Sequence, residues 1–224
     1  MYNIRERGLF ATCARLTAQP EGSQDVTKMQ RWSIIGSAAT ALPFLVAALF
    51  FLFTGPQDAS QFPPPEQSPY LLPWPENVRY FCVQGVRGVV SHRGGSQFAY
   101  DFYMPIGSDI CAARAGRVTK VVQHYDGNGR NWPNNVVYVD HGDGTRACYA
   151  HIKQNGSYVA EGDMVEQRQT IAASGNVGNS MMPHLHFHVT DVEARRTIPV
   201  TFADVKKDKG IPRMFKWYTS GKGQ

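Results

Sequence analysis

From about Arg79 onward the chain reads as short apolar runs, many alternating with polar positions and broken by Gly, Asn and Asp. GRVTKVV (116–122), NVVYVDH (135–141), RACYAHI (146–152) and LHFHVTD (185–191) are such runs, rich in Val, Tyr and Phe. A period of two bounded by turn residues predicts half-buried β-strands. HGDG (141–144) lies between two of the runs and predicts a hairpin turn. No long stretch has helical spacing. Residues 79–217 are therefore expected to form one mainly β domain, a compact antiparallel β-sheet, with 218–224 as a tail.

Upstream the pattern changes twice. Residues 1–31 are polar and aperiodic, and Trp32 to Thr54 then run 23 residues without a charge. A helix of that length spans about 34 Å, enough for a bilayer core of about 30 Å. Lys28 and Arg31 precede it, and no basic residue follows until Arg79. The positive-inside rule then predicts a single-pass transmembrane signal anchor (32–54), with 1–31 in the cytoplasm and the rest outside the cytoplasmic membrane. A cleaved signal peptide is the competing reading, although no A-x-A site follows closely. Met29 is an alternative start. Residues 55–78 carry six of the fourteen prolines between Pro63 and Pro75 and read as an extended linker.

Charge changes this picture little. A net charge of +5 suits work beside anionic polymers or membranes, and the lack of a long Lys/Arg run argues against nucleic acid. Lys206, Lys207, Lys209, Arg213, Lys216 and Lys222 read as a solvated basic end. None of the four cysteines forms a CxxC pair, which argues against a cysteine zinc knuckle. Cys111 and Cys148 fall in predicted strands, either paired or as buried free thiols.

Candidate chemistry concentrates in PHLHFHV (183–189). In a strand, His184, His186 and His188 project from one face, and Leu185, Phe187 and Val189 from the other. Imidazole is the commonest nitrogen ligand for zinc and the commonest general acid or base near neutral pH. His92 and Asp101 in SHRGGSQFAYDF supply a second imidazole and a carboxylate, a donor set suited to zinc. With one further imidazole they make a three-ligand site that leaves a position for water. No HExxH motif is present, so a glutamate-base zincin design does not apply.

The ordered combination resembles the M23 family of zinc metallopeptidases, the lysostaphin-like or LytM-type peptidoglycan endopeptidases, over about residues 85–191. It is carried by SHRGGSQFAYDFYMPIGSDICAARAGRV (91–118), NNVVYVDHGDGTRACYAHI (134–152) and VAEGDMVEQRQTIAASGNVGNSMMPHLHFHV (159–189). The resemblance implies one Zn2+ ion held by His92, Asp101 and His186. It also implies catalytic roles for His151 and His184, and peptidoglycan peptides as substrate outside the bacterial cytoplasmic membrane.

This sequence departs from the pattern at three points. Eight residues separate His92 from Asp101, where the family commonly has three. His188 stands where many members have glutamate, and Arg168 where a turn glycine is frequent. His188 then reads as a partner behind the ligands or a substrate contact. Asn176, in the Gly-rich SGNVGNS loop, reads as part of the groove wall. Tyr149 is expected at the groove rim, and His124 and His141 at surface or turn positions. The alternative function is a non-catalytic regulatory or wall-binding module that activates another hydrolase. All five implied positions are filled, which argues against it. A carrier domain of lipoyl type lacks its lysine.

Overall fold

The computed structural model describes residues 58–221, and 1–57 with the predicted anchor and the first linker residues lie outside them. No helix among the described residues is long and apolar enough to cross a membrane. The alternating runs become antiparallel strands: β1 (Arg79–Gln84), β2 (Tyr100–Tyr103), β3 (Asp109–Cys111), β4 (Gly116–Val122), β5 (Val136–Asp140), β6 (Thr145–Ala150), β7 (Ile152–Ser157), β8 (Met164–Val165), β9 (Thr170–Ser174), β10 (His184–Asp191), β11 (Arg196–Thr197) and β12 (Lys216–Thr219). The main sheet has the order β12-β1-β2-β10-β6-β5-β4-β8, with β11 beside β10, and a three-stranded sheet has the order β3-β9-β7. The β5–β6 hairpin turns through HGDG as expected, with Gly142 and Gly144 at φ +74° and +83°, where a side chain would be strained.

Strand β10 sits inside the main sheet, between β2 and β6. Its three apolar residues, Leu185, Phe187 and Val189, are fully buried. Phe187 packs on Tyr149 of β6 at 5.3 Å and on Phe202 at 5.7 Å between ring centroids. Burying each such side chain contributes about 1.5–3 kcal/mol, so the register that turns the apolar set inward also fixes where the histidines point.

The segment read as a linker does not run free to Asn77. Tyr70, Leu72 and Trp74 are buried in the core, and Phe62 packs against it. The physical reason is a period-two apolar pattern hidden among the prolines. Cys82, Cys111 and Cys148 are buried free thiols rather than a disulfide.

Candidate active site

The site is built on the polar face of β10. In register, His186 lies opposite Asp101 of β2 and, on the other side, opposite Ala150 of β6. Opposed residues of antiparallel strands share a face, so the pairing delivers a carboxylate to an imidazole. His186 Nδ1 lies 2.8 Å from Asp101 Oδ1. His92 comes from the loop between β1 and β2, and its Nε2 lies 3.1 Å from Asp101 Oδ2. One ligand atom from each of His92, Asp101 and His186 can be chosen so that all three lie within 4.8 Å of one another.

The donor set fits a divalent metal. His92 Nδ1 donates to the Gly85 carbonyl at 2.8 Å. In the neutral ring this leaves Nε2 as a lone pair aimed at a carboxylate. That Nε2 is buried and has no hydrogen-bond partner. Two acceptors facing each other need a positive species between them, either a proton on His92 or a metal ion. Burial opposes charging His92, but Asp101 outweighs it and raises the histidine above its ordinary value. Burial likewise pushes Asp101 up, yet the hydrogen bond from His186 and the approach of His92 hold it well below the usual carboxylate range.

Sequence reasoning missed Gln84. Its amide nitrogen donates to Asp101 Oδ2 and to Ser91 Oγ, each at 2.8 Å, while its Oε1 accepts from Val90 N at 3.1 Å. The side chain thus ties the carboxylate to the loop that carries His92. Plain alternation from the buried Cys82 would point Gln84 into the core. A register shift between Cys82 and Gln84 instead sets it opposite Asp101. Only the bulge reveals this, and the sequence carries no local signal for it.

His151 and His184 face this cluster. Their rings are 4.5 Å apart, and His151 is 5.9 Å from the His186 ring. Each donates its Nδ1 proton to a backbone carbonyl at 2.8 Å, His151 to Val177 and His184 to Met182. In the neutral rings both Nε2 atoms are then acceptors, and that of His184 lies 3.7 Å from Asp101 Oδ1. Burial first, and then the neighbouring His184 and His186, pull His151 down to about 3. His151 sits at φ +65°, just beyond β6, with its N–H bonded to the Asn135 carbonyl. Tyr149, opposite Phe187 and Val137, lies in the core, where its hydroxyl accepts from Ala113 N at 2.8 Å, and the break turns His151 to the other face. The groove-rim position expected for Tyr149 is corrected accordingly.

His188 stands behind His186, with its Nδ1 3.0 Å from His186 Nε2. Burial, then His186, pulls it down to about 3. Asn176 Oδ1 accepts from Ser180 Oγ at 2.7 Å, and Ser180 Oγ is 3.2 Å from His184 Nδ1. Asn176 therefore reaches the site through Ser180. His124 is exposed, and His141 caps the Ala115 carbonyl at 2.9 Å; neither joins the cluster.

Residues 95–198 match the family model Peptidase family M23. An uncharacterized metalloprotease of Haemophilus influenzae is 30% identical over 142 residues, which cover 63% of this chain and 26% of the relative. The peptidoglycan DD-endopeptidase ShyA of Vibrio cholerae is 27% identical over 113 residues, 50% of this chain and 24% of the relative. The chain thus spans about a quarter of the length of these curated relatives. A zinc-containing peptidase from Vibrio cholerae is similar in structure, with TM-score 0.45 and 23% identity over 59% of this chain and 39% of that one. The ordered motifs, the histidine-bearing strand in its antiparallel sheet and the family match agree: residues 95–198 form a domain of peptidase family M23.

Proposed function

We propose that the chain is a zinc-dependent endopeptidase that hydrolyses peptide bonds of peptidoglycan outside the cytoplasmic membrane, held there by an N-terminal anchor at 32–54. The observation that carries the reading is the convergence of His92, Asp101 and His186 on one point, with His151 and His184 presenting Nε2 beside it. The substrate class is supported by the relative whose name states it. The anchor is supported by the uncharged run and the flanking cations.

His92, Asp101 and His186 would hold the metal, and His188 would orient His186 from behind. Bound zinc would lower the pKa of a water molecule toward about 7 and polarise the scissile carbonyl. The protein side of the chemistry falls to the other two histidines. A neutral His151 accepts a proton at Nε2. His184, held by Met182 and Ser180, accepts or returns a proton on the same side of the substrate. The backbone carbonyls on Nδ1 fix the tautomer of both rings. The five filled positions speak against the non-catalytic alternative.

The test uses the purified full chain in detergent, metal analysis and digestion of cell-wall sacculi. Released peptide ends with one zinc per chain are expected, and are lost in His184→Ala at unchanged zinc content. Intact cross-links with stoichiometric zinc bound, beside a control enzyme that cuts them, would overturn the proposal.

A further inference from the structure

The histidine face of the sheet does not end at His188. One row runs from His188 through Cys148 of β6 and Tyr138 of β5 to Lys120 of β4. The next row sets Thr190 opposite Arg146, and Arg146 opposite Asp140. Residues opposed in register share a face, so Arg146 and Lys120 stand on the same side of the sheet as the candidate metal ligands.

Arg146 is held in an unusual state. Its guanidinium lies over the Tyr138 ring at 4.8 Å. Its Nε is buried without a hydrogen-bond partner, and among the described residues no carboxylate pairs with it. Asp140 is the carboxylate beside it in register, but its Oδ1 accepts from Gly142 N at 2.9 Å in the hairpin turn. Lys120 is exposed and likewise makes no ion pair among the described residues. An arginine whose guanidinium is seated on a ring, but whose fork is unmatched by a carboxylate, is preorganised for a planar anion.

We propose that Arg146, with Lys120 on the far side of Tyr138 on the same face, forms a subsite for a carboxylate of the peptide substrate. The inference rests on the proposed peptidase reading and adds to it a specificity element remote from the reacting bond. Thr190, opposite Arg146, is four residues beyond His186 on β10, about 13 Å at roughly 3.3 Å per residue. The guanidinium leans back over Tyr138, one row nearer the site. The carboxylate recognised therefore lies about two to four residues of extended peptide from the bond cut.

The experiment uses the full zinc-loaded chain and one cross-linked peptidoglycan peptide in two forms, with carboxylates free or converted to carboxamides. The parent is expected to favour the free acid by about 10- to 100-fold in kcat/KM, the range for a charge-assisted hydrogen-bonded contact. Arg146→Gln should bring that ratio near one while zinc content and the rate on the carboxamide hold. Equal rates on both forms in the parent, or an unchanged preference in Arg146→Gln, overturn the subsite. If Arg146→Gln does not fold, Arg146→Lys replaces it, and an undiminished preference there counts against the proposal. If the parent cuts neither form, the peptidase reading is what fails. The subsite is then read by the binding of fluorescein-labelled copies of the two forms. A free-acid preference lost in the variant supports it, and equal binding overturns it.

Discussion

Asp101 meets His186 on one oxygen, and His92 and Gln84 on the other. Removing Gln84 frees one lone pair of the carboxylate and unties the His92 loop without replacing any candidate ligand. Gln84→Ala is expected to weaken zinc binding about 10- to 100-fold, read by competition with a chromophoric chelator, while circular dichroism stays unchanged. A second prediction concerns protons. His151 and His188 are held near 3 by burial and by neighbouring histidines, whereas in the unfolded chain they titrate near about 6.5. Between those values the unfolded chain binds more protons, so stability falls as pH drops from about 6.5 toward 3. His92, raised by Asp101, acts in the opposite sense: its contribution is present at low pH and fades as pH rises through its folded value. The metal-free His188→Gln variant should therefore lose less stability than the parent between about pH 7.5 and 5 in urea unfolding. Equal losses would mean that His188 is not held neutral in the fold.

At the scale of elements, β10 joins core to chemistry. Phe187→Ala should cost about 3–5 kcal/mol by denaturant unfolding and lower zinc affinity as well, because the same strand carries His186. Alternation in LHFHVTD and GRVTKVV made these strands legible, and HGDG made the hairpin legible. Three features were not, each for its own physical reason. RACYAHI reads as one strand, but the left-handed turn at His151 ends β6 at Ala150 and starts β7 at Ile152. Tyr149 and His151, which alternation would set on one face, therefore go to core and site. The bulge that swings Gln84 toward Asp101 depends on the partner strand, which no local window contains. In the proline-rich segment, turn-forming residues hid the Tyr70, Leu72, Trp74 periodicity. Within the candidate site, His92, Asp101, His151, His184 and His186 were legible only as an ordered set of motifs. The contacts that orient them were not.

For the whole molecule, the candidate ligands join distant parts of the chain, positions 92 and 101 with position 186. A metal that binds only the folded state stabilises it by mass action, about 2.7 kcal/mol at a free concentration 100 times Kd. Zinc is expected to raise the melting temperature and a chelator to lower it, with the difference abolished in Asp101→Ala. Differential scanning calorimetry on the three samples checks this. The proposed anchor has its own test: the full chain should sediment with membranes, and a chain starting at residue 58 should stay in the supernatant.

The place of β10 in the sheet bears on the order in which the molecule can assemble. During synthesis its neighbours β2 and β6 emerge first and can pair with β1 and β5, yet each lacks its second partner until β10 arrives, and β1 awaits β12 at Lys216–Thr219. A growing chain that stops before residue 184 has the His92 loop, Asp101 and His151 but no strand to gather them. Pairings across such sequence separations form late and slowly. The proposed catalytic centre, built this way, can be gathered only after nearly all of the chain has been made, a delay that arises from strand order alone.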